Sequence, residues 1–147
     1  MLNIKNYNEL LHCTVADTIK SLVSHTSQEA ISFNNINKFP NTNGIYLVSL
    51  SETIIYIGKA DKQKIKTRCN QYLNASTGGT LRKKLEIVMA CDSQTAINYI
   101  INNLSAKFIE ITDINTIPTI EEIAIWAYQP KLNVVKPTTF SYENCKL

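Results

Sequence analysis

A predicted β-hairpin between Asn43 and Ala60 constrains the fold of this chain more than any other stretch. Its sequence, NGIYLVSLSETIIYIGKA, has two runs rich in isoleucine, valine and tyrosine on either side of a two-residue turn, as paired strands prefer. We predict strands over residues 45–50 and 53–57. The runs carry the mirrored triplets GIY and YIG. Because glycine lets another group approach the backbone closely, the two ends of the hairpin are a candidate ligand site.

The rest of the chain predicts a small α+β domain. Helices are predicted over residues 7–25, 62–73, 80–90, 93–104 and from after Pro118 to before Pro130, and a third strand over residues 107–112. We therefore expect a three-stranded, largely antiparallel sheet flanked by helices. The expected parts are an N-terminal helix and linker over residues 1–39, packed on or appended to the core, a core domain over residues 40–135, and a tail over residues 136–147.

The composition fits a single domain without staples or a membrane anchor. The chain has 147 residues, enough for its own hydrophobic core. It has no apolar run of the roughly 20 residues that a membrane span needs, and no leader pattern. Its four cysteines are scattered, with no CxxC pair, which argues against disulfides and zinc. We expect a cytoplasmic protein without a membrane partner.

Basic residues are concentrated between Lys59 and Lys84, where eight lysines and arginines accompany one acid, Asp61. Such a segment fits a polyanion, although a solvated helix face explains the charge equally well. Three of these residues fall in the first turn of a predicted helix, where the helix dipole disfavours cations unless a phosphate binds. The residues predicted to contact nucleic acid are Lys62, Lys64, Lys66, Arg82, Lys83 and Lys84.

Arg68 is the basic residue best suited to a defined role, because its planar fork of donors matches a phosphate. Tyr72 follows four positions later, so a helix puts both side chains on one face. GIY, nine residues, YIG, Lys59, Arg68 and a later glutamate before PKLN together resemble the GIY-YIG nuclease family over roughly residues 40–133. The resemblance implies an antiparallel three-stranded sheet with flanking helices, in agreement with the patterning.

The resemblance also implies the catalytic residues, which are Tyr46, Tyr56, Lys59, Arg68, Tyr72, Glu121 and Asn133. In the family's chemistry Arg68 stabilises charge on the scissile phosphate, Tyr56 orients water or phosphate, and Asn133 braces the site. Tyr46 is the general base that the family suggests, with Lys59 and Arg68 lowering its pKa. Tyr72 stands where nuclease members commonly have histidine, so it is an alternative base, and the identity of the base stays open.

The family's metal ligand is a glutamate in the last predicted helix, which offers Glu121 and Glu122. If Thr119 is the N-cap, Glu122 closes a capping box with it, which leaves Glu121, twelve residues before Asn133, for the metal. The implied cofactor is one Mg²⁺ or Mn²⁺ ion, because a single carboxylate, water and phosphate oxygens suit such a cation.

The resemblance implies a metal-dependent endonuclease, of restriction or homing type, that hydrolyses DNA and leaves 5′-phosphate and 3′-hydroxyl ends. RNA stays open as a substrate, and a homodimer is the expected form if both strands of a duplex are cut together. The alternative is a catalytically weak or inactive nucleic-acid-binding module of the same fold. Metal-dependent cleavage distinguishes the two.

Overall fold

The computed structural model describes residue 17 and residues 29–133, so the predicted N-terminal helix, apart from the helical Asp17, and the predicted tail lie outside the described residues. The described strands are β1 (Ile31–Ser32), β2 (Gly44–Leu50), β3 (Thr53–Ala60) and β4 (Leu104–Glu110). The described helices are α1 (Ile65–Asn70), α2 (Thr80–Met89), α3 (Ser93–Asn103) and α4 (Ile117–Tyr128), with 3₁₀ segments at Phe33–Lys38, Gln71–Leu73 and Ile114–Thr116.

The strands form one antiparallel sheet in the order β1-β4-β2-β3, so the predicted α+β class is confirmed and the prediction of three strands is wrong. The fourth strand comes from residues predicted as a linker, where Ile31 and Ser32 pair with β4. The same stretch buries Phe33 and Phe39 in the core. Two residues carry too little alternation to reveal a strand, and this one forms only because β4 offers its edge.

The hairpin of β2 and β3 forms as predicted and fixes the register of the tyrosines. Tyr46 pairs with Gly58 and Val48 pairs with Tyr56, and a bulge at Ile55 follows. Because side chains alternate along a strand, both tyrosines point to the same face of the sheet. The two triplets are therefore brought together by pairing between the strands.

Each face of the sheet has its own core. On one face Tyr46, Phe39 and Phe108 belong to a large cluster that also takes residues from α1, α2 and α3. On the other face Ile45 and Ile57 pack with residues of α4. Since β3 is an edge strand, groups held by helices on opposite faces can meet along its free side.

The helix boundaries differ from the predictions at two places that concern the site. The helix predicted over residues 62–73 begins only at Ile65, and its last turn tightens into the 3₁₀ segment Gln71–Leu73. The last helix begins at Ile117, with Thr116 at the N-cap and Pro118 in the first turn. Proline suits that position because it has no N–H to leave unpaired there.

Candidate active site

The ring of Tyr46 lies across Gly58 on the neighbouring strand. A Cβ atom at Gly58 would overlap the hydroxyl end of that ring, so glycine alone leaves room for it. At Gly44 a Cβ atom would overlap the carbonyl oxygen of Ile109 in β4. The close approach predicted at these glycines is confirmed, but the approaching groups are a tyrosine ring and a neighbouring strand rather than a ligand.

Three tyrosines form a cluster on this face of the sheet. The ring centroid of Tyr46 lies 6.4 Å from that of Tyr56 and 6.2 Å from that of Tyr72, and the hydroxyls of Tyr46 and Tyr72 are hydrogen-bonded to each other. Tyr46 and Tyr72 are fully buried and Tyr56 is nearly so. Gly79 packs so closely on the ring of Tyr72 that a Cβ atom there would overlap it. The cluster joins both triplets to the turn that follows α1.

Burial raises the pKa of all three tyrosines, so their hydroxyls are neutral at pH 7. Tyr72 raises the pKa of Tyr46 further. The hydrogen bond between the two has the opposite effect on Tyr72, where it reduces the rise in pKa that burial causes. For Tyr56, the hydrogen bond to Tyr72 and the charge of Arg68 oppose the effect of burial. The expectation that Lys59 and Arg68 lower the pKa of Tyr46 is not met, because burial and the neighbouring Tyr72 raise it.

Arg68 lies in the last turn of α1, beside the tyrosine cluster. Its guanidinium carbon is 5.8 Å from the ring centroid of Tyr72, as their four-residue spacing predicts, and its Nη1 donates to Gln71 Oε1 at 3.1 Å. Its charge lowers the pKa of Tyr56 and also that of Glu121. The guanidinium therefore lies within electrostatic reach of groups from both faces of the sheet.

Glu121 lies on α4 and reaches Lys59 at the end of β3. Lys59 Nζ is 3.8 Å from Glu121 Oε1, and the two side chains are 38% and 18% exposed. Burial raises the pKa of Glu121, Lys59 lowers it, and the neighbouring Asp61 raises it. Lys59 shares its sheet face with Ile45, not with Tyr46, because its pairing partner is Ile45.

The capping argument that separated Glu121 from Glu122 is wrong in its detail. Because α4 begins at Ile117, Thr119 is inside the helix and cannot be its N-cap. The N-cap Thr116 accepts no hydrogen bond from the first turn, and its hydroxyl donates instead to the carbonyl of Asp113 at 2.8 Å. Exposure now separates the two acids, since Glu122 is exposed and Glu121 is largely buried beside Lys59.

Asn133 fastens the free side of β3. Its Oδ1 accepts from the N–H of Ile57 at 2.8 Å, and its Nδ2 donates to the carbonyl of Ile57 at 2.9 Å. The N–H of Leu132 also donates to the carbonyl of Ile55 at 2.9 Å. A side-chain amide thus replaces the missing neighbouring strand in the middle of the YIG triplet.

The predicted nucleic-acid contacts occupy two surfaces beside the cluster. Lys62 and Lys64 are exposed and Lys66 is half-buried around the start of α1, and Lys64 Nζ donates to Asn43 Oδ1 at 2.9 Å. On α2, Lys83 is exposed, and Lys84 Nζ lies 5.6 Å from the ring centroid of Tyr56. Partial burial lowers the pKa of Lys84.

Arg82 departs from the predicted set because its side chain is 4% exposed. Its guanidinium donates to the carbonyls of Gln71, Asn74 and Thr77 and pairs with Glu86 through Nε at 3.2 Å. These contacts hold the loop between α1 and α2, so this arginine is a structural residue and not a surface contact for phosphate. In the sequence, the structural role of Arg82 is indicated by Glu86, four positions later, with which it pairs.

Two polar residues that were not predicted from the sequence also shape the site. Asn43 donates through Nδ2 to the carbonyls of Ala60, Asp61 and Gln63, at 3.0 to 3.2 Å, and so fixes the turn that leaves β3. Gln71 accepts a hydrogen bond from Arg68, and the separation of three residues between them was the sequence signal for this contact. Neither amide stands out by type, because Asn and Gln are common on loops.

Glu121 suits a hard cation that keeps most of its water. Its largely buried carboxylate has a raised pKa, so a bound cation would relieve an unfavourable charge. Among residues 29–133 no group of three or more histidine, cysteine, aspartate and glutamate side chains could hold a metal. One carboxylate with water and phosphate oxygens fits Mg²⁺ or Mn²⁺ better than a metal that needs a full set of protein ligands.

None of the helices in the described part of the chain has the length and apolar character that a membrane crossing requires.

The sequence profile of the GIY-YIG catalytic domain matches residues 18–145. No curated protein matches the chain. Among solved structures, the GIY-YIG N-terminal endonuclease domain of UvrC from Thermotoga maritima, bound to its catalytic divalent cation magnesium, is 26% identical, with a TM-score of 0.47 over 68% of this chain and 92% of that chain. A point mutant of that domain, bound to its catalytic divalent cation, is 25% identical, with a TM-score of 0.48 over 69% of this chain and 92% of that chain. Because the profile covers most of its length, the chain belongs to the GIY-YIG catalytic domain family and is a GIY-YIG nuclease domain.

Proposed function

We propose that this nuclease domain is a metal-dependent endonuclease that hydrolyses DNA phosphodiester bonds and leaves 5′-phosphate and 3′-hydroxyl ends. The observation that carries the proposal is that Arg68 lies beside the tyrosine cluster and within electrostatic reach of Glu121. Arg68 acts electrostatically on both Tyr56 and Glu121, which come from different elements. A phosphate bound there would have a fork of donors, a carboxylate for a cation and tyrosine hydroxyls within one small region.

Arg68 is the residue proposed to stabilise the charge that develops on the phosphoryl oxygens. Its guanidinium is half-buried, and an arginine in such a place acts more strongly than in bulk water. Gln71 takes one of its donors, and the guanidinium has further N–H groups in the planar fork that suits a phosphate. Lys62, Lys64, Lys66, Lys83 and Lys84 supply the surrounding positive charge, which gives affinity without reading sequence.

Glu121 is the residue proposed to hold the Mg²⁺ or Mn²⁺ ion. When bound, such an ion supplies charge stabilisation for the phosphate and the leaving oxygen. Lys59 Nζ lies 3.8 Å from the Glu121 carboxylate and partly offsets the rise in its pKa that burial causes. Asn133 keeps Ile57, and with it the YIG triplet, at a fixed distance from α4.

The general base is proposed to be the hydrogen-bonded pair of Tyr46 and Tyr72. The pair first loses one proton to solvent, and the hydroxyl that remains donates to the resulting anion. That anion then accepts a proton from the attacking water. The hydrogen bond lowers the pKa of Tyr72 and raises that of Tyr46, which favours the anion on Tyr72. Tyr56 would orient the water or the phosphate from the edge of the cluster.

The burial of these tyrosines also favours a second candidate, a nucleic-acid-binding module that cleaves weakly or not at all. A base whose pKa is raised is rarely ionised at neutral pH, and its hydroxyl is screened from solvent. This candidate keeps the lysine surfaces and the affinity for phosphate. It predicts binding that weakens with salt and no metal-dependent product.

Supercoiled plasmid incubated with the protein and Mg²⁺ tests the proposal, with EDTA and the Glu121→Ala variant as the inactive cases. The exposed neighbour Glu122→Ala is the matched control and should keep its rate within about twofold, because surface substitutions change little. Nicked product that DNA ligase seals directly would identify 5′-phosphate and 3′-hydroxyl ends. Immediate linear product would indicate a homodimer that cuts both strands.

Two results would overturn parts of the proposal. Absence of cleavage together with salt-sensitive binding of plasmid identifies the binding module. Loss of cleavage in Glu122→Ala but not in Glu121→Ala reverses the assignment of the metal ligand. A labelled RNA of matched sequence, assayed in parallel, tests whether the substrate is RNA instead.

A further inference from the structure

We propose that Gln71 is a positioning residue that orients the Arg68 guanidinium toward the phosphate, and that Gln63 locks the amide of Gln71 in the required orientation. This inference rests on the proposed nuclease function and adds to it. The three side chains are all half-buried and form one connected set beside the tyrosine cluster.

The contacts are reciprocal. Arg68 Nη1 donates to Gln71 Oε1 at 3.1 Å, and Gln63 Nε2 donates to the same oxygen at 3.2 Å. In return Gln71 Nε2 donates to Gln63 Oε1 at 3.0 Å. The Gln71 oxygen therefore has two donors and its nitrogen has an acceptor, a complete arrangement for a side-chain amide facing two partners.

The pairing with Gln63 selects one orientation of Gln71. If the Gln71 amide alone were flipped, its NH₂ group would face the guanidinium, and the pair with Gln63 would set donor against donor and oxygen against oxygen. All three contacts would become repulsive, so the flip is strongly disfavoured. Gln63 thus acts on Arg68 through Gln71, without a hydrogen bond of its own to the guanidinium.

The backbone that carries Gln71 is held independently. Its carbonyl accepts from Thr77 Oγ1 at 2.8 Å and from Arg82 Nη1 at 3.4 Å. The next residue, Tyr72, places its ring beside the guanidinium of Arg68. Consecutive residues of one 3₁₀ segment therefore restrain Arg68 from two sides, and the buried Arg82 restrains that segment.

Such restraint has a catalytic reason. An arginine side chain has many rotamers, and ordering it during the reaction would raise the barrier. A guanidinium that is already oriented stabilises the transition state without that loss, and small displacements of such a group reduce rates steeply. Gln71 itself needs no contact with the substrate.

The experiment compares Gln71→Met, which keeps a similar volume and loses the hydrogen bonds, with Gln94→Met on the exposed side of α3 as the matched control. We expect single-turnover cleavage to fall about tenfold or more in Gln71→Met and to stay within about twofold in Gln94→Met, with DNA affinity in EDTA changed less than about threefold in both. Gln63→Met should lower the rate less than Gln71→Met, because the bond from Arg68 to Gln71 remains.

A double-mutant cycle separates positioning from general damage. In an Arg68→Lys background, Gln71→Met should lower the rate by less than about twofold, because the group that Gln71 orients is gone. An equal loss in both backgrounds would show a purely structural role and overturn the inference, as would a Gln71→Met rate equal to that of Gln94→Met.

Arginine side-chain NMR tests the inference without activity. The Nη signals of Arg68 should be separate in the wild type and in Gln71→Glu, which keeps an acceptor, and averaged by rotation in Gln71→Met. If the wild type fails to cleave, the proposed function fails and this measurement alone decides whether Gln71 holds Arg68. Unchanged Arg68 signals in Gln71→Met would refute the inference whatever the activity.

Discussion

The proposed general base, the hydroxyl pair of Tyr46 and Tyr72, predicts a reaction rate that depends on pH in a defined direction. Burial raises both pKa values, so at neutral pH only a small fraction of the pair is ionised. That fraction grows about tenfold per pH unit below the pKa, so we expect the single-turnover rate to rise from about pH 7 to about pH 9 without a plateau. A rate profile at constant ionic strength measures this.

The matching variants are Tyr46→Phe and Tyr72→Phe, each of which leaves one hydroxyl without its partner. Both should lose most of the rate and show a flatter profile. A plateau below about pH 8 in the wild type, where unperturbed tyrosine is still almost fully protonated, would contradict a tyrosine base. A rate that rises with pH as steeply in both variants as in the wild type would also contradict a tyrosine base.

The carboxyl of Glu121, which is proposed to hold the cation, lowers the stability of the fold when it is ionised. Its pKa is raised chiefly by burial, so the folded state holds the proton more tightly than the unfolded state does. The stabilisation from this group is therefore fully present below its unfolded pKa and is lost as pH rises through its folded pKa. At pH 7 the ionised, desolvated carboxylate remains, partly offset by Lys59.

We therefore expect Glu121→Gln to have a higher Tm than the wild type at pH 7 in EDTA, and the difference to vanish at pH 4. Added Mg²⁺ should raise the Tm of the wild type and leave that of Glu121→Gln unchanged, because a ligand stabilises only the state that binds it. Differential scanning fluorimetry over this pH range measures both effects. A wild-type Tm above that of the variant at pH 7 would contradict the destabilising effect of the Glu121 carboxylate. A wild-type Tm that does not change with Mg²⁺ would contradict the proposed cation site.

At the scale of elements, the edge strand β3 depends on a side chain from beyond α4. Asn133→Ala removes both hydrogen bonds to Ile57 and leaves a part-buried N–H and carbonyl to find water. Each unpaired group costs about 1 to 3 kcal/mol if it stays dry, so we expect a loss of about 2 kcal/mol in the free energy of unfolding and a larger fall in cleavage than in DNA binding. Urea unfolding measures the loss, with the exposed Asn102→Ala as control. Equal stability of the two variants would show that the β3 edge is not held by this residue.

The elements that the sequence predicted well are those whose signal is local. The hairpin, α2 and α3 follow from strand alternation and helical spacing. The structure adds the N-cap of α3, Asp92, whose carboxylate accepts from the Thr95 N–H at 2.8 Å. The short β1 and the burial of Arg82 depend on partners distant in the chain or on loop carbonyls, which no local pattern encodes. The start of α4 was misplaced because Thr116 and Thr119 are equally plausible caps by type. Pro118 is tolerated both in the first turn of the helix that forms and just before the helix that was predicted.

In the candidate site, the sequence predicted residue types but not their environment. Tyr46, Tyr56, Arg68 and Tyr72 do lie together, as the triplets and the helical spacing indicate. Their burial, which reverses the expected direction of the Tyr46 pKa, arises from packing by Gly58 and by the loop before α2. Desolvation is a property of the assembled fold, so it could not be read from spacing.

At the scale of the whole molecule, the lysine surfaces beside the tyrosine cluster give a prediction about binding to DNA. Each phosphate contact releases counterions, so the logarithm of the affinity should fall linearly with the logarithm of the salt concentration. Lys62 lies just before α1 and Lys83 lies on α2. The variants Lys62→Ala and Lys83→Ala should each reduce that slope by about 1 if the lost ammonium contacts a phosphate. The control is Lys38→Ala, which removes an exposed lysine of the 3₁₀ segment Phe33–Lys38 and should leave the slope unchanged.

Arg82→Lys should instead lower Tm and leave the slope unchanged, because the Arg82 guanidinium faces loop carbonyls. Fluorescence anisotropy with a labelled duplex in EDTA measures the slopes, and a slope that responds equally to Lys38→Ala and Lys62→Ala would mean that charge attracts DNA to the surface in general and not to this site.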